Sequence, residues 1–81
     1  MPNKKLPDEN CFFAENIKQL RLSVNLTQEY IADRIGVGRT TYTKWELGKT
    51  EPSFCFLSQL IKIFNEAGEE VDYNRLFRKP H

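Results

Sequence analysis

Histidine is almost absent from this chain: its single copy, His81, is the last of 81 residues. A terminal imidazole has no Ser or Cys neighbour to serve as general base, so no nucleophilic triad is expected. Neither a GxxxxGK[ST] loop nor an HExxH pair occurs, which removes the commonest phosphate-cradling and zinc-hydrolase signatures. Adjacent carboxylates such as Glu69 and Glu70 lie in a polar connector and read as solvated. Cysteine is scarce too. Cys11 and Cys55 fit no metal-ligand spacing, and we expect two reduced, partly buried thiols. No metal, no cofactor and no enzymatic activity are expected. No apolar run approaches the roughly 18 residues that span a bilayer. The first ten residues, MPNKKLPDEN, carry charge without a following apolar stretch, unlike a secretory signal. A cytoplasmic location with no membrane partner is the expectation.

Excess charge is missing as well, since the formal net charge is only +1. Its distribution says more than its sum. Arg34, Arg39, Lys44 and Lys49 lie in one stretch whose only acid is Glu46, while Glu66, Glu69, Glu70 and Asp72 cluster later. One surface is therefore expected to be basic and the far end acidic. Strand-like alternation is also absent. Apolar residues recur at helical spacing throughout, which predicts an all-α fold of five helices.

Residues 28 to 45, QEYIADRIGVGRTTYTKW, organise the rest. Ile31 and Ile35 share one helix face, with small Ala32 beside them where another helix approaches. Gly36 suits the left-handed exit of that helix. Val37 plugs the corner, and Gly38 is a tolerable N-cap for the next helix. In that helix Tyr42 and Trp45 form the inner face and leave Arg39, Thr40, Thr43 and Lys44 outside. Before this stretch, Asp8 or Asn10 is expected to cap a first helix with Phe13, Ile17 and Leu20 in one buried stripe. Thr27 is a good N-cap for the second helix, with Leu26 and Ile31 placed as a hydrophobic staple. After it, the chain leaves the helix at Gly48, and Ser53 caps a fourth helix. Leu57, Leu60, Ile61 and Phe64 are its expected core stripe; Phe56 and Ile63 fall off that stripe. Gly68 closes it, and Asp72 caps a last short helix, YNRLF. Residues 1–9 are expected to be a flexible arm, residues 10–78 a single domain.

Counting Gln28 as position one, the pattern is apolar at four, Ala at five, apolar at eight, Gly at nine, and apolar at ten, fifteen and eighteen. This resembles the helix-turn-helix of the Cro and phage-repressor proteins, the XRE family. NIKQLR before it and WELGKTEPS after it resemble the family too, so the likeness covers residues 12 to 77. It implies a five-helix lambda-repressor-like domain that binds double-stranded DNA and regulates transcription, as a repressor, with helix 39–46 in the major groove. Base contacts would fall to Arg39, Thr40, Thr43 and Lys44. Backbone contacts would fall to Gln28, Thr27, Gly38, Lys49 and Thr50. The family commonly pairs Arg21 with the acid after the Trp, here Glu46, and a bidentate Arg–carboxylate pair suits that role. Tyr42 departs from the usual aliphatic residue, and its hydroxyl needs a partner.

One helix reads only a few base pairs, so a homodimer on two half-sites is expected. Phe56, Ile63, Val71 and Phe77 are the expected interface, because the inward stripe of the fourth helix is already full. Eighty-one residues leave no room for a ligand-sensing domain, so no small-molecule ligand is expected. Two alternatives remain at this stage: an antitoxin or adaptor whose main partner is another protein, such as a toxin, and a restriction–modification controller.

Overall fold

The computed structural model describes residues 12–79. Five α-helices follow one another: α1 (Phe13–Ser23), α2 (Gln28–Ile35), α3 (Arg39–Glu46), α4 (Phe54–Glu66) and α5 (Tyr73–Phe77), with no strand among the described residues. α3 lies in the middle of the packing, against both α2 and α1. α2 also rests on α4, and α1 on α5.

The corner between α2 and α3 is set by local chemistry. Thr27 Oγ1 accepts a 3.0 Å hydrogen bond from the Tyr30 amide and so caps α2. At the other end Gly36 takes φ 93°, and the N–H groups of Gly36 and Val37 both reach the Ala32 carbonyl, at 2.8 and 3.0 Å. Nothing lies within 4 Å of where a Gly36 Cβ would sit. Backbone sign, not space, therefore demands glycine there. Gly38 is extended at the N-cap of α3 and offers no side-chain cap.

Phe13, Ile17 and Leu20 of α1, Ile31, Ala32 and Ile35 of α2, and Tyr42 and Trp45 of α3 all enter one core. α1 begins at Phe13, with Phe12 at its N-cap and no side-chain cap bond. The expected caps Asp8 and Asn10, the arm 1–9, Cys11 and His81 lie outside the described residues. Asn25 has φ 58° after α1, a left-handed position that asparagine tolerates better than most residues.

α4 is rotated from expectation. Its fully buried residues are Leu60, Ile63 and Phe64, while Leu57 and Ile61 are only half-buried. Phe56, half-buried like Leu57 and Ile61, packs its ring 5.7 Å from that of Trp45, and Ile63 takes a buried place beside Leu60 and Phe64. Three of the four residues expected at a dimer interface are thus engaged within the chain. Ile63 and Val71 are 4 % and 7 % exposed, and Phe56 lies half-buried against Trp45. Phe77 stays at the surface, stacked on Phe13 at 5.4 Å. Cys55, expected to be partly buried, is exposed.

Three asparagines stitch this fold in ways apolar periodicity does not reveal. Asn16 Nδ2 donates to the carbonyls of Leu76 and Arg78, both at 2.8 Å, and ties the end of α5 to α1. Asn65 accepts from the Val71 amide at 3.0 Å and donates to the Val71 carbonyl at 2.9 Å, which holds the α4–α5 connector. Asn25 makes the exit from α1.

Candidate nucleic-acid interface

Thr40, Thr43, Lys44 and Leu47 follow at helical spacing along the outer side of α3. Together with Arg39, with Gln28 from α2 and with Lys49 from the following loop, they line a shallow concavity of about 420 Å³. Arg39, Thr40, Lys44 and Lys49 are exposed and Thr43 is half-buried. Arg39 also borders a neighbouring depression with Thr27, Gln28 and Glu29. Gly38 and Thr50 are exposed but line neither hollow. Leu47, 62 % exposed, stands seven residues after Thr40 and shares its side of the helix, a spacing legible in the sequence although its apolar character does not mark it as a contact.

The charges are sorted more sharply than composition suggested. Glu46, the one acid in the basic stretch, is turned inward and is 9 % exposed. Arg34, expected among the basic residues of this face, faces elsewhere. Its guanidinium pairs with Glu66 at 2.8 Å and lies over the Tyr30 ring. Among the described residues no carboxylate lies in ion-pair range of Arg39, Lys44 or Lys49. The concavity is therefore lined by three uncompensated cations and no acid.

Beneath this surface Glu46 gathers donors from three helices. Arg21 of α1 grips it with a fork, Nε to Oε2 at 2.7 Å and Nη2 to Oε1 at 3.1 Å. The third guanidinium nitrogen donates to the Leu26 carbonyl at 3.1 Å. Tyr42 Oη donates to Oε2 at 2.6 Å, and Gln28 Nε2 to Oε1 at 2.9 Å. Burial alone works to raise the Glu46 pKa, but the hydrogen bonds from Arg21, Tyr42 and Gln28 outweigh it and leave it lowered. Burial, then the bond to Glu46, pushes the Tyr42 phenol well up, so it remains a donor. The Arg21 guanidinium is raised, first by its bond to Glu46. The hydroxyl that makes Tyr42 unusual is thus fully used.

Comparison with known proteins meets this geometry directly. A family model described as helix-turn-helix matches residues 17–71, most of the chain and both walls of the concavity. The chain belongs to the XRE-type helix-turn-helix family. This helix-turn-helix protein is 41 % identical over 61 residues to YqaE of Bacillus subtilis (strain 168), named as an uncharacterized HTH-type transcriptional regulator; the match covers 75 % of this chain and 50 % of the relative. It is 41 % identical over 59 residues to the HTH-type transcriptional activator BcrR of Enterococcus faecalis, covering 73 % of this chain and 29 % of the relative. It is 36 % identical over 52 residues to the cryptic phage CTXphi transcriptional repressor RstR of Vibrio cholerae, covering 64 % of this chain and 47 % of the relative. The chain spans half or less of the length of these three. No solved structure gives a significant match. No helix among the described residues is long and apolar enough to cross a membrane.

Proposed function

We propose that this protein binds double-stranded DNA sequence-specifically and regulates transcription as a repressor, with α3 in the major groove. One observation carries the reading: a single acid-free concavity gathers Gln28, Arg39, Thr40, Thr43, Lys44 and Lys49 from α2, α3 and the loop after it. An isolated eight-residue helix rich in threonine would not stay folded. Here it is fixed from below by Trp45, Tyr42 and the Glu46 network, which leaves its outer side chains poised for base edges.

Arg39 opens α3 and takes guanine O6 and N7 with its fork, while Thr40, Thr43 and Lys44 reach further edges or a phosphate. Thr27, Gln28, Gly38, Lys49 and Thr50 set the protein on the backbone and add affinity without sequence information. Occupation of a promoter site is enough for repression, the role named for one of the relatives. The protein works as a homodimer on half-sites about 34 Å apart or a multiple of it. Its exposed or half-exposed apolar face runs through Phe54, Leu57, Ile61, Tyr73 and Phe77. Phe54 is 68 % exposed and stacks on Tyr73 at 5.3 Å.

Selection from random duplex DNA tests the reading. A recovered consensus, bound with affinity that falls steeply with salt, is expected; the absence of any consensus removes it. Sedimentation equilibrium of Phe54→Glu beside the wild type tests the face, with a dimer expected only for the wild type.

A further inference from the structure

Glu46 does more than hold helices together, because a carboxylate can only accept hydrogen bonds. The side-chain amide of Gln28 must therefore turn its NH2 towards Glu46 Oε1, at 2.9 Å. Its carbonyl oxygen is then forced to the other side, where it meets Thr43 Oγ1 at 3.2 Å. An amide carbonyl also only accepts, so the Thr43 hydroxyl must donate to it. Each step leaves one orientation. The direction is imposed by a buried, ionised group locked by Arg21 and Tyr42.

We propose that this relay fixes the polarity with which Thr43 reads DNA. Its hydrogen is committed to Gln28, so Thr43 offers a base only oxygen lone pairs and a methyl group. In the major groove these match the adenine amino group and the thymine C5-methyl, which one A·T pair presents on either side of thymine O4. Guanine shows only acceptors, N7 and O6, to the same space, and lone pairs would face lone pairs. Thr43 therefore rejects guanine, although a free threonine hydroxyl would serve either; cytosine N4 is a donor too, but no methyl accompanies it, so an A·T pair is preferred. Gln28 acts as a positioning residue in this, over and above any backbone contact.

The inference rests on the DNA-binding reading above, and its test separates the two. The pair read by Thr43 is located as the one whose selectivity changes in Thr43→Val on the selected site. Adenine is expected there. Its replacement by purine, which lacks the 6-amino group, should weaken the wild type roughly fivefold, the measure of one neutral hydrogen bond. Thr43→Val should be indifferent to that replacement. In Gln28→Ala the hydroxyl is free to turn, so discrimination against guanine at this pair should fall while preference at the other pairs persists. The purine arm needs no variant, and melting curves show whether the variants fold. Guanine at this pair, no pair affected by Thr43→Val, or unchanged discrimination in Gln28→Ala overturns the polarity relay alone. A chain without any sequence preference overturns the relay and the DNA-binding reading together.

Discussion

α3 and α4 are held in the same small core by different means. α3, RTTYTKWE, carries three threonines, and it buries only Tyr42, Trp45 and Glu46. Its position comes from the glycine corner before it, from Tyr42 and Trp45 in the core, and from polar bonds to Glu46. α4, FCFLSQLIKIFNE, is rich in apolar residues and buries Leu60, Ile63 and Phe64, and it has no side-chain cap. Directional bonds to Glu46 help fix the rotation of α3; the rotation of α4 is fixed by how its apolar side chains interdigitate. DNA reading is assigned to α3, where a rotation of tens of degrees would move every contacting side chain.

The largest test of this contrast is on α4. Ile63→Ala should destabilise the protein by about 3 kcal/mol, the usual cost of emptying a buried aliphatic site, whereas Cys55→Ala on the exposed side should cost under about 0.5 kcal/mol. Thermal melting compares them. Equal effects would mean that α4 presents a different face from the one described.

On α3 the test is electrostatic. Arg21→Ala strands the Glu46 carboxylate and should cost about 2 kcal/mol, below the 3–5 kcal/mol of a fully buried pair because some solvent reaches Arg21. The pH dependence has a definite sign. A carboxyl whose folded pKa is lowered contributes stability that is complete above its unfolded value of about 4.3, and that contribution fades as pH falls through the folded value. The gap in melting temperature between wild type and Arg21→Ala should therefore be widest at neutral pH and narrow as acid takes the pH below the unfolded value and through the folded one. A gap independent of pH would mean that Arg21 acts through packing.

Smaller effects fall on binding rather than folding. Arg39→Ala should lose about 1–3 kcal/mol on the best site and less on sites altered at its base, so that selectivity drops there. Lys49→Ala should weaken all sequences alike and reduce the salt slope by about one ion per subunit. Titration against single-base variants at several salt concentrations distinguishes them. A uniform loss from Arg39→Ala would leave it as a backbone contact and pass base reading to Thr40, Thr43 and Lys44.

The same contrast explains what could be read in the sequence. The α2–α3 unit was legible because glycines, caps and alternating apolar and polar faces all agree there. Five helices followed from periodicity, and the membership of Phe13, Ile17 and Leu20 in the core from their spacing. α4 misled because apolar residues occupy most of its circumference, so spacing alone could not choose between Leu57–Ile61 and Phe56–Ile63. In the folded chain Phe56, Leu57 and Ile61 are all half-buried against the core, and Ile63 is buried beside Leu60 and Phe64. Asn16 and Asn65 were silent because a polar residue that satisfies backbone carbonyls leaves no periodic trace. Glu46 is legible as a partner for Arg21 and stands four residues after Tyr42 on the same helix, but its bond to Gln28 depends on α2 meeting α3.

Asn16 also bears on the order in which the molecule assembles. Its bonds to the Leu76 and Arg78 carbonyls join residues 60 and 62 positions apart, a loop far longer than any that closes the α2–α3 corner. Long loops lose more entropy on closure, so such contacts tend to form after local ones. The corner assigned to DNA is then an early product of folding, and α5 a latch that closes last. Asn16→Ala should accordingly speed unfolding and leave the folding rate nearly unchanged, which stopped-flow denaturant jumps would register; slowed folding would place the latch in the nucleus instead.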